Sequence, residues 1–116
     1  MDVCEEMQKL RSALDKMGVE WDDASEEWLT PPYSNGKSLA VRRDYICRTR
    51  FHYKGNRFSV INGFGTYGGY DSILTENMGL LEVMVNGKEP SGFLTAATVL
   101  KMIKGAQKDG TKTFKS

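Results

Sequence analysis

The chain has one histidine, two cysteines and three prolines in 116 residues, and no apolar run approaches the about eighteen residues of a membrane span. Each scarcity excludes a class of chemistry. With His52 as the single histidine, Ser-His-Asp or Cys-His catalysis has to run through that side chain. Cys4 and Cys47 lack CxxC spacing, and with one histidine they do not supply the four ligands of tetrahedral zinc. Asp22, Asp23, Glu26 and Glu27 lack the ligand spacing and turn glycine of a calcium loop. No metal and no cofactor is therefore expected. Charge of one sign is also missing: 16 Lys and Arg face 15 Asp and Glu, so bulk charge argues for neither nucleic acid nor membrane as partner. The opening residues, Met1 to Glu6, lack the basic and apolar regions of a signal peptide, which leads to the expectation of a cytoplasmic protein with reduced thiols.

What is present is ordinary globular material, 40% apolar and 27% charged. A chain of this size forms one core, and the pattern predicts a single α+β domain over 1–105 with a flexible basic tail at 106–116. Val3, Met7, Leu10, Leu14 and Met17 recur at helical spacing with acids in the first turn and Gly18 as the stop, predicting a helix over 2–17. That stripe suits packing on a sheet, or a seam between two copies of the chain. Val19 to Trp21 reads as a short extended piece, residues 22–27 as an acidic turn or short helical start, and Pro31 to Gly36 as part of a surface loop.

The clearest tertiary signal is a hairpin. Tyr45 to Tyr53 and Asn56 to Asn62 are rich in aromatic and β-branched residues and are separated by Lys54-Gly55. Pairing Tyr53 with Asn56 puts Cys47, Thr49 and Phe51 opposite Asn62, Val60 and Phe58 on a core face. The same register puts Arg48, Arg50 and His52 opposite Ile61, Ser59 and Arg57 on a basic outer face. A strand is expected within 78–87, a turn at Glu89 to Gly92, and a last helix from Thr95 carrying Val99, Leu100 and Ile103 and closed by Gly105. The expected architecture is a small antiparallel sheet centred on the 45–62 hairpin, with the N-terminal and C-terminal helices packed on one face.

Four glycines and three aromatics crowd the run Asn62 to Asp71, directly after the second hairpin strand. It is neither a Gly-x-Gly-x-x-Gly opening a helix nor a Walker loop. It reads either as a tight connection pinned by aromatics or as a loop that offers backbone N–H groups to an anion while Tyr67 or Tyr70 stacks on a ring. With the arginines beside it, which suit bidentate phosphate contacts, the candidate ligand-binding residues are Arg48, Arg50, His52, Arg57, Gly63, Gly65, Thr66, Tyr67, Gly68, Gly69, Tyr70 and Asp71.

At Phe58-Ser59-Val60-Ile61-Asn62-Gly63-Phe64-Gly65-Thr66-Tyr67-Gly68-Gly69, Gly79-Leu80-Leu81-Glu82 and Glu89-Pro90-Ser91-Gly92-Phe93-Leu94-Thr95-Ala96, the chain resembles small proteins encoded in prophages and mobile elements of gut bacteria. The Pro31 to Leu39 loop departs from that pattern. The resemblance carries no catalytic residues. It implies a setting, the host cytoplasm, and a phage accessory role in which the protein counters host defence. The leading expectation is a non-enzymatic protein that binds a phosphate-bearing small molecule such as a nucleotide signal, as a possible homo-oligomer through the first helix. The alternatives are a protein-binding inhibitor of a host defence enzyme, using the acidic 20–27 segment or exposed aromatics, and a small hydrolase using His52.

Overall fold

In a computed structural model, residues 3–30, 42–63, 66–69 and 77–105 are described, backbone only at 28–30 and 42–44. The 31–39 loop, Gly65, Tyr70, Asp71 and the 106–116 tail lie outside them. The chain order is α1 (Glu5–Met17), β1 (Trp21–Asp23), β2 (Glu26–Thr30), β3 (Arg42–Tyr53), β4 (Asn56–Gly63), β5 (Leu81–Val85), β6 (Ser91–Leu94) and α2 (Ala96–Lys104). All strand pairings among the described residues are antiparallel, in the order β1-β3-β4-β5-β6, with β2 also on β3.

The expected α+β architecture is the observed one. Lys54 and Gly55 both take positive φ, 54° and 79°, as a two-residue hairpin turn requires. The turn fixes the register from sequence: Tyr53 pairs Asn56, and the pairs continue through Cys47 with Asn62. Phe51 and Phe58 face each other across it with ring centroids 5.0 Å apart. On this face Met7, Leu10 and Leu14 of α1 and Ala96, Val99 and Ile103 of α2 close over Cys47, Val60, Leu81 and Val83. Each large side chain buried there contributes about 1.5–3 kcal/mol. The apolar stripe of α1 is thus spent on the chain's own core, with only its ends, Val3 and Met17, partly exposed.

Helix ends follow their chemistry. Gly18 stops α1 at φ 73°, donating its N–H to the carbonyls of Asp15 and Leu14. Thr95 caps α2 by accepting from the Thr98 N–H.

Two segments differ from expectation. Residues 22–27 are not a turn or helical start but the ends of two edge strands. Four acids in six residues have poor strand propensity, yet an edge strand needs only one paired side and tolerates charge. The break between β1 and β2 stays bonded to β3: Ala24 donates its N–H to the Arg48 carbonyl (2.9 Å), and Ser25 Oγ accepts the Arg48 N–H (2.9 Å). The second is Ser91–Leu94, where turn-type residues form a short edge strand with a bulge opposite β5. Pro90 directly precedes this strand.

Candidate functional site

Because side chains alternate along a strand, the face of the sheet away from the helices is built in cross-strand rows. Asp22, Arg50, Ser59 and Met84 form one row across four strands, and His52 and Arg57 stand opposite each other in the next. Arg50, His52 and Arg57 are exposed, and none has a side-chain hydrogen bond or ion pair among the described residues. Their side chains project from positions two residues apart or directly paired, so like charges are gathered, with Asp22 opposite Arg50 in the register but not ion-paired to it. A half-open hollow of about 900 Å³ wraps this end of the sheet, lined on the outer face by Asp22, Arg50, His52, Arg57, Ser59 and Met84 and on the helix side by Met17, Val19, Trp21, Phe51 and Phe58. That volume is within the range of small-molecule sites.

Arg48 shares the face but not the situation. Its guanidinium donates to Glu26 Oε2 (2.9 Å) and to the Ala24 carbonyl (3.3 Å), and its side chain is 18% exposed. Arg48 clamps the edge strands, leaving Arg50 and Arg57 as the arginines available to a ligand. On the helix side, Arg11 does comparable work: it lies 4.6 Å over the Trp21 ring, donates to Thr49 Oγ1 (2.7 Å) and pairs with Asp23 (3.2 Å). Hydrogen bonds from Ser25, and Arg11 beside it, hold the Asp23 carboxyl below its ordinary value. Burial pushes the Cys4 thiol up, which makes it a weak nucleophile.

The glycine-rich run is a brace among its described residues. Thr66 Oγ1 accepts the Gly63 N–H (3.0 Å), the Thr66 and Gly69 N–H groups donate to the carbonyls of Gly63 (3.3 Å) and Thr66 (3.1 Å), and the Tyr67 N–H donates to Glu82 Oε1 (2.7 Å). These four N–H groups are committed within the fold rather than presented to an anion. The glycines fit close backbone approach: a Cβ on Gly69 would overlap the Gly63 carbonyl, and one on Gly68, at φ 117°, would meet the Leu80 backbone. Gly63 and Arg57 sit six residues apart on β4, about 20 Å at roughly 3.3 Å per residue. Gly63, Thr66, Tyr67, Gly68 and Gly69 do not line the hollow. Of the expected binding residues, the structure brings together Arg50, His52 and Arg57, and sets the glycine-rich run at the other end of the hairpin.

His52 has no hydrogen bond to a carboxylate or hydroxyl among the described residues, so none of those residues holds it as the partner of a general base would. Glu82, Ser59, Met84 and Asp22 were not among the expected site residues. Ser59 was legible from the hairpin register alone; the others depend on β1 and β5 docking beside it. No group of three or more His, Cys, Asp or Glu poised for a metal is found among the described residues, and no described helix is long and apolar enough to cross a membrane.

Comparison with known proteins finds no matching family model, no matching curated protein and no matching solved structure.

Proposed function

We propose that the protein is a non-enzymatic binder of a phosphate-bearing small molecule, held over the open face of the sheet by Arg50, His52 and Arg57. The observation that carries this reading is the gathering of these three cationic or protonatable groups, unpartnered among the described residues, at one half-open hollow. Two guanidinium groups supply bidentate donors to phosphate oxygens, Ser59 adds a hydroxyl in the same row, and Met84 offers apolar surface. The resemblance to prophage proteins supports the setting: an accessory protein that sequesters a nucleotide signal of host defence. Thermal unfolding with a panel of linear and cyclic nucleotides tests it. A ligand at a hundredfold over its Kd stabilises the folded chain by about 2.7 kcal/mol, so at least one nucleotide raises the Tm; no shift with any of them contradicts the reading.

A second reading, a protein-binding inhibitor, is favoured by a separate observation. Tyr67 and Phe93 are exposed and stacked at 6.3 Å, and Phe93 holds φ 58°, a conformation unfavourable for a bulky side chain. Capture of a host protein by the parent chain but not by Phe93→Asp would support it, and equal capture by both would remove it.

A further inference from the structure

We infer that the molecule bound in the hollow carries, beside its phosphate, an N–H-donating or cationic group that is held by Asp22 and Glu20. This rests on the phosphate-binding reading above and narrows it to a class of ligand. The acids of the β1–β2 edge divide in two. Asp23 is engaged with Arg11 at 3.2 Å and Glu26 with Arg48 at 2.9 Å. Asp22 and Glu20 line the hollow, are exposed, and have no side-chain partner among the described residues. Asp22 stands directly opposite Arg50 in the strand register, on the same face by the alternation of side chains, yet the two form no ion pair.

The site is therefore bipolar. Neighbouring strands are about 4.8 Å apart, so the Asp22 position is one strand from Arg50 and two, about 10 Å, from Ser59. A phosphate ester with an amine or amino-bearing ring a few bonds away spans that separation. Met84, a further strand along the row, adds apolar surface for the carbon frame. The carboxylates also act against the wrong ligand: a purely anionic molecule placed between the cations meets Asp22 and Glu20 as like charge, whereas a ligand with a donor meets them as acceptors. Two sources share this chemistry, small aminoalkyl phosphates and nucleotides whose base bears an exocyclic amine.

Calorimetric titration with two matched pairs distinguishes them: O-phosphoethanolamine against methyl phosphate, and adenosine 5′-monophosphate against purine riboside 5′-monophosphate, whose base carries no N–H. Circular dichroism verifies the fold of Glu20→Gln/Asp22→Asn. In at least one pair the amine-bearing member binds the parent protein about fivefold or more tightly, and the double variant erases that preference while retaining the amine-free partner. Preference in the first pair identifies an aminoalkyl phosphate, in the second an amino-bearing base. Equal affinity within both pairs, or a preference that survives the double substitution, overturns the inference while leaving phosphate binding intact. Binding of none of the four overturns this inference, whereas the phosphate reading itself falls only if no nucleotide of the thermal-shift panel stabilises the chain.

Discussion

Glu82 Oε1 accepts the backbone N–H of Tyr67 at 2.7 Å, so a nearly buried carboxylate on β5 holds the glycine-rich run against the sheet. Glu82 is 8% exposed, and removing it leaves the Tyr67 N–H without its acceptor. Loss of this part-buried hydrogen bond to a charged acceptor costs about 1.5–3 kcal/mol. Glu82→Ala lowers unfolding stability by that amount in urea titration, whereas Glu82→Gln, which keeps a carbonyl acceptor, loses less. Equal losses would mean that the charge, not the hydrogen bond, is what the loop needs.

Glycines in the chain are not interchangeable. At Gly18, φ is 73° and nothing lies within 4 Å of an added Cβ, so Gly18→Ala costs only the left-handed penalty of about 1–2 kcal/mol. At Gly69 the Cβ would overlap the Gly63 carbonyl and Thr66 Oγ1. Gly69→Ala therefore has to displace the 63–66 turn and costs about 3 kcal/mol or more. Comparative thermal unfolding gives the order Gly18→Ala above Gly69→Ala in Tm; the reverse order would contradict the packing described.

Asp23 makes acid stability a readable quantity. Ser25 hydrogen bonds, with Arg11 adjacent, hold its carboxyl below the ordinary 3.8. A lowered folded-state value favours the folded chain when the group is ionised; that contribution is complete above the unfolded value and is lost as pH falls through the lower folded value. Asp23→Asn accordingly flattens the decline of stability below about pH 4. The effect is small because the side chain is 55% exposed. An unchanged acid limb in the variant would assign acid unfolding to other carboxylates.

The hairpin was readable because alternation, a two-residue turn containing glycine and aromatic pairing all agree on one register. The helices were readable because stripe, cap and stop coincide. The β1–β2 edge was hidden by its acids, of which Asp23 and Glu26 meet Arg11 and Arg48 only after folding. β6 was hidden by Ser91-Gly92 directly after Pro90, turn-type residues that an edge strand accommodates. The site was half legible. Register put Arg50, His52, Ser59 and Arg57 on one face, but nothing local to the sequence set Arg48 aside for Glu26, or separated Gly63 from Arg57 by most of a strand's length. The glycine-rich run drew attention for its backbone freedom, and that freedom is used for close packing against Gly63 and Leu80.

Phosphate binding is tested most directly by calorimetric titration of the parent protein and of Arg50→Ala/Arg57→Ala with whichever nucleotide gives the largest thermal shift. Both arginines are exposed and unpartnered among the described residues, so the variant keeps the Tm of the unliganded parent. Loss of two charge-assisted contacts of about 1.5–3 kcal/mol each weakens binding by a hundredfold or more. Full retention of affinity in a folded variant would contradict the assignment of the ligand to the open face.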